Sequence, residues 1–190
     1  MKWIGISGSW REKSDEIETK VKNTVREIME RGDGVISGGA LGVDFVVVDE
    51  ALKYDPHAER IKVFLPTTLQ MSATHYRKHA SWGTITDNEA ERLIRQLEYL
   101  KRVNPKALIE KLDVEFNEET QKEHYYGRNQ DIVNSSDEFI AFRARTKESE
   151  ESGTADAVEK AKKKGFLSRF FNSISQNNLP VAFFYLCFPK

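Results

Sequence analysis

Cysteine is nearly absent: Cys187 is the only one among 190 residues, so no internal disulfide can staple the chain, and a reducing compartment suits it. An excess of charge of either sign is lacking too. The 29 Lys and Arg face 30 Asp and Glu, a formal net charge of -1. No whole-molecule field therefore draws the chain to nucleic acid or to an anionic membrane, and any basic site must be local. No run approaches the roughly 20 apolar residues of a spanning helix. Met1–Ser7 turns polar too soon for a secretory leader and reads as a first strand. The expectation is a cytoplasmic protein with no membrane partner. Disorder is excluded as well, because 31% charged residues are balanced by 11% aromatics and several apolar runs.

Familiar enzyme signatures are missing. No G-x-G-x-x-G with an acid closing the second strand is present, which excludes a standard dehydrogenase, and no G-x-x-x-x-G-K-[ST] marks an ordinary P-loop ATPase. His57, His75, His79 and His124 form no zinc pattern. Neither a metal nor a cofactor is expected.

What is present is an alternation of short apolar runs and helical stripes. Trp3–Ile6, Val35–Ile36, Ile61–Leu65, Glu138–Phe142 and Val181–Leu186 read as strands buried on two faces of a parallel sheet. Ile17, Val21, Val25 and Ile28 paint one helical stripe, opened by the Asp15…Glu18 start signal and stopped at Gly32. A second helix spans Gly42 to Tyr54, with Val46-Val47-Val48 implying deep burial. This order calls for an α/β fold with a doubly wound, mostly parallel sheet of about five strands.

After Pro66 the pattern breaks, with no clear strand before Asp137. Thr86-Asp87-Asn88-Glu89 is a capping box, and Ala90, Leu93, Leu97 and Leu100 supply the stripe behind it. Asn104-Pro105 ends that helix and can open another. Residues from about 67 to 116 thus read as a helical insertion after strand three, within one domain covering 1–190. Two further helices are expected, over Glu118–Asn134 and Gly153–Lys164; the lysines closing the second complement its dipole.

Three Gly/Ser-rich turns carry the candidate chemistry. Ser37-Gly38-Gly39-Ala40-Leu41-Gly42 joins the second strand to the second helix, where adjacent glycines and unsatisfied helix amides could cradle a phosphate. Gly8 and Ser9 end the first strand, and Ser152, Gly153 and Thr154 open the last helix. All three should share one edge of the sheet. Asp44, in the first turn of its helix, could accept a ribose hydroxyl or order the turn. Arg128 and Asn129 fall on the inward stripe with Tyr125, Ile132 and Val133. A buried guanidinium needs an anion: a ligand phosphate, or a carboxylate of the Asp131, Asp137 and Glu138 neighbourhood.

These residues carry a resemblance. Ser37-Gly38-Gly39-Ala40-Leu41-Gly42-Val43-Asp44 resembles the SGGA-x-G-[IV]-D turn of the DNA-processing protein A (Smf) family. Gly127-Arg128-Asn129-Gln130-Asp131-Ile132-Val133 with Ser136-Asp137 resembles its R-N-x-x-[IV]-[IV]…S-D segment, and Ser152-Gly153-Thr154 its S-G-[ST] turn. Order and spacing are also similar to the wider group that includes the "lonely guy" phosphoribohydrolases. The resemblance implies a Rossmann-like fold with a nucleotide or phosphate site. The P-G-G-x-G-T-x-x-E motif of the hydrolases is replaced by Glu151-Ser152-Gly153-Thr154-Ala155-Asp156, so hydrolysis is not implied.

The leading expectation is a protein that binds a nucleotide or another phosphate-bearing small molecule, with a homo-oligomer left open. One alternative is hydrolysis or transfer at an N-glycosidic bond, with Asp44, Glu50 or Asp156 as the carboxylate. Another is single-stranded nucleic acid binding, with Trp10, Arg11, Tyr76, Arg77, Lys78, His79 and Trp82 forming a basic, stacking lid.

Overall fold

The computed structural model describes residues 1–9, 15–112, 114–144, 153–172 and 182–188, with side chains for 1–9, 15–112, 114–142 and 153–166. The chain runs β1 (Trp3–Gly8), α1 (Asp15–Glu30), β2 (Gly34–Ser37), α2 (Val43–Tyr54), β3 (Ile61–Phe64), α3 (Leu69–Ser81), α4 (Asp87–Val103), β4 (Leu108–Ile109), α5 (Gln121–Ser135), β5 (Glu138–Ala144), α6 (Gly153–Lys163), β6 (Leu167–Asn172) and β7 (Ala182–Phe188). One sheet holds the order β4-β3-β2-β1-β5-β7-β6. The first five of these strands are parallel, as a Rossmann-like fold requires.

Side-chain alternation sorts the core into two layers. Ile4, Ile6, Val35, Ile140 and Phe142 face α1, α2 and α4. Ile36, Phe139 and Ala141 point the other way, against α5 and α6. Each buried Val, Ile or Phe contributes roughly 1.5–3 kcal/mol. In α1 the predicted stripe of Ile17, Val21, Val25 and Ile28 is buried throughout. The helix stops at Gly32 (φ 81°), where the Gly32 amide donates to the Met29 carbonyl and Asp33 to Ile28. That is a Schellman end, which favours glycine in the left-handed position.

The sheet departs from the expected one at its two edges. The last apolar run forms β7, antiparallel to β5, with Phe139 opposite Cys187. An unforeseen strand, β6, pairs antiparallel beyond it. At the other edge the insertion is not wholly helical: Asn104-Pro105 starts only a short 3-10 turn, and Leu108–Ile109 then pair with β3 as β4. The Thr86…Glu89 capping box forms as predicted. Glu110 clasps the base of the insertion, accepting from the Leu69 amide at 2.6 Å and from Lys101 at 2.7 Å.

The strand order places the site. From β1 the chain winds outward through β2, β3 and β4, then returns to the opposite side of β1 as β5. Crevices that take ligands open at the carboxyl ends of strands beside such a reversal. The Gly8-Ser9 and Ser37–Gly42 turns lead from that edge, and α3, α5 and the start of α6 border the space beside it.

Candidate nucleotide-binding cavity

The turn after β2 is shaped by what packs against it. Gly39 takes φ 61°, and a Cβ there would lie 2.7 Å from Leu65 and Val63, so this face looks into the core rather than toward a ligand. At Gly38 a Cβ would collide with the Arg128 guanidinium. Gly42 (φ 72°, ψ -127°) is the N-cap of α2, a conformation that L side chains avoid. The first amide of that helix is engaged: Val43 donates to the Ser9 carbonyl at 3.3 Å, and the Ser9 amide donates to Phe142 at 3.3 Å. Gly8 fits against Val43, leaving no room for a side chain. Gly8, Ser9 and Gly39 therefore build the edge, and Gly42 borders a separate cleft between α2 and the start of α4; none of the four lines the cavity that holds Arg128.

Arg128 finds its anion inside the protein, and not where the sequence suggested. Asp131 pairs with Lys111, Asp137 accepts from the Trp3 amide, and Glu138 pairs with Lys2. The partner is Asp44, reached from α2 at 3.7 Å, while a second donor contact goes to the Gly38 carbonyl. The arginine and the aspartate are 8% and 5% exposed. Burial pushes the Asp44 carboxyl up to about 6, against the pull of Arg128 and the Ala40 amide. The Ser37 hydroxyl is close enough to act on this carboxylate electrostatically but is not aligned for a hydrogen bond. Ser37 Oγ, Asp44 Oδ1 and Arg128 Nε are thus buried polar atoms with no hydrogen-bond partner. Leaving such groups unsatisfied costs about 1–3 kcal/mol each.

Asn129, next along α5, ties that helix to α6. Its amide donates at 3.0 Å to the Gly153 carbonyl and at 3.0 Å to Asp156, which also holds Lys160. Thr154 is buried behind this contact. Ser152 lies outside the described residues, as do Trp10 and Arg11.

Above these groups is a cavity of about 550 Å³, within the ~300–1,000 Å³ usual for small-molecule sites. Ala40, Arg128, Asn129 and Gly153, four of the residues named from the sequence, contribute to its wall. Tyr76 and His79, from α3, belong to the lid named for the single-strand alternative; His75 from α3 and Gln121, Lys122, Tyr125 and Tyr126 from α5 were not foreseen as wall. The Tyr76 hydroxyl donates to the Gly39 carbonyl at 3.5 Å, joining roof to floor. Tyr125 lies under the Arg128 guanidinium, 5.5 Å from ring centre to Cζ.

The carboxylates named for glycosidic chemistry stand elsewhere. Asp44 is held by Arg128, Asp156 by Lys160 and Glu50 by Lys53. None lines this cavity. Among the described residues no cluster of three metal-capable side chains occurs, and no helix is long and apolar enough to cross a membrane.

Two groups here titrate in opposite senses. Burial, reinforced by His79 and Lys78, lowers His75 to about 4, so it folds as the neutral imidazole. The unfolded chain then binds the extra proton between pH 4 and 6.5, and stability falls as pH drops through that window. Asp44, raised to about 6, does the reverse: the folded state holds the proton, and stability falls as pH rises from 3.8 toward 6. Replacing His75 with Phe removes only the first effect. The urea midpoint of His75→Phe should therefore drop less between pH 6.5 and 4.5 than that of the native chain. An equal or larger drop would mean that His75 is not held neutral.

Neither a protein-family model nor a curated protein matches the chain. Among solved structures it is similar to DNA processing protein A from Helicobacter pylori, a structure concerned with that protein's unique mode of binding single-stranded DNA. Identity is 19% and the TM-score 0.56, over 85% of this chain and 61% of that one. The chain thus spans less than two thirds of its neighbour, and the likeness is one of fold.

Proposed function

We propose that the chain binds single-stranded nucleic acid and seats one nucleotide unit in the inner cavity. The observation that carries this reading is the composition of the wall. Tyr125, Tyr126 and His75 offer ring faces or edges to a base, while Arg128, Asn129 and the start of α6 add polar groups to the same wall. Bases stack on aromatic rings regardless of sequence, and the amino end of a helix favours a phosphate. The fold shared with a single-strand binder supports the same conclusion.

A free nucleotide is the second reading. It is favoured by the Tyr76–Gly39 contact, which draws the insertion down over the cavity as a roof.

Titration separates the two. A labelled single-stranded dodecanucleotide should bind at least about tenfold more tightly than dTMP. Of the cations on the wall, Arg128 is already paired and Lys122 is exposed, so few phosphates are neutralised. With about one or two such contacts, affinity should fall only about three- to sevenfold between roughly 50 and 200 mM salt. Equal affinities would leave the free-nucleotide reading in its place. Binding of neither ligand would remove both.

A further inference from the structure

A second cavity of about 1,000 Å³ adjoins the first and shares His75, His79, Glu118 and Gln121 with it. It lies between α3 and the segment around Phe116–Gln121. A continuous line of rings joins the two spaces. Trp82 meets His79 at 5.4 Å, His79 meets His75 at 4.4 Å, His75 meets Phe116 at 5.4 Å, and Phe116 meets Tyr125 at 5.9 Å. These contacts are edge-to-face, an arrangement in which rings do not use up each other's faces by stacking. At the outer end Trp82 is 56% exposed. Lys78 stands 4.6 Å over its ring and is held at 2.9 Å by Glu118.

We propose that this outer groove is a second base-stacking subsite, taking the nucleotides that follow the one in the inner cavity, with Glu118 occupying on Lys78 the place a backbone phosphate would take. The proposal rests on the single-strand reading above and gives it a direction, outward along α3. An exposed Trp with a cation 4.6 Å from its ring suits a base and its phosphate. The Lys78–Glu118 pair is solvent-exposed and therefore weak, so a phosphate can displace the carboxylate. Glu118 and Glu119 also explain why stacking, rather than charge, has to carry this subsite.

Two surface variants test it, read by anisotropy with a labelled mononucleotide and the dodecanucleotide. Trp82→Ala should weaken dodecanucleotide binding about tenfold, within the range for one lost stacking contact. The mononucleotide, confined to the inner cavity, should change less than twofold. Glu118→Gln should tighten dodecanucleotide binding several-fold and steepen its salt dependence, because Lys78 is freed for a phosphate. If the native chain binds the dodecanucleotide but Trp82→Ala leaves it unchanged, the subsite is refuted while the inner site stands. An equal loss for the two lengths also refutes it. If the native chain does not bind the dodecanucleotide, the single-strand reading falls and the subsite with it.

Discussion

Arg128→Ala should unfold at a temperature roughly 6–20 °C below that of the native chain, the counterpart of about 3–5 kcal/mol for breaking a buried ion pair. The loss should be larger at pH 8 than at pH 5. Asp44 is buried, and with Arg128 beside it the carboxyl already sits near 6. Without the arginine it moves higher still, so the folded state takes up a proton over a wider window. Stability then falls as pH rises through that window, and acid restores part of what the substitution removed. Adding Asp44→Asn should recover stability at pH 8, since no unpaired charge remains in the interior. The same loss at the two pH values, or no loss, would show that the pair with Asp44 does not carry this stability. Thermal and urea denaturation of the native chain and the two variants at each pH is sufficient.

Gly39→Ala should cost about 2–5 kcal/mol, against about 1–2 kcal/mol for Gly83→Ala. The two positions share a left-handed backbone, with φ of 61° and 71°, so any L side chain meets the same intrinsic penalty. Their surroundings differ. Around Gly83 nothing lies within 4 Å of an added Cβ, whereas at Gly39 the methyl would press on Leu65 and Val63 at 2.7 Å. Overpacking a closed core adds about 1–3 kcal/mol. Placing a side chain at Gly39 is therefore a test of the core and not of ligand contact. Equal losses at the two positions would mean that the β2–α2 turn is less tightly seated on β3 than these distances show.

Most of the sheet was legible because four of its strands are unbroken apolar runs, the pattern of strands covered on two faces. The α1 stripe, the Gly32 stop and the Thr86…Glu89 box were equally plain, since each is a local signal. β4 was not legible: two residues, Leu108 and Ile109, are too few to display a period. Nor was α3, which buries only Ser72 and Ala73 and so lacks an apolar stripe. The antiparallel direction of β7 is invisible in an apolar run, because direction comes from the connection. At the site, periodicity turned Arg128 inward correctly, but its partner lies on α2, far away in sequence, and nearby acids misled. Tyr76, His79 and Trp82 were named as a stacking lid, but the rest of the aromatic wall was missed for a related reason. Tyr125 and His75 meet each other at 6.4 Å and both meet Phe116, contacts between α5 and α3 that no spacing rule reports.

The insertion leaves the sheet at β3 and rejoins it at β4, the adjacent edge strand, with Glu110 fastening its two ends. This makes it a closed excursion from one margin of the fold, and neither its length nor its composition alters how β1, β2, β3 and β5 are ordered. Lineages can therefore rewrite the excursion while the Ser37–Gly42 turn stays fixed by the close quarters around it. His75, Tyr76, His79 and Trp82 all sit on the part free to vary. Divergence in what such chains hold should accumulate there first, with the glycines as the slow clock and the rings above them as the fast one.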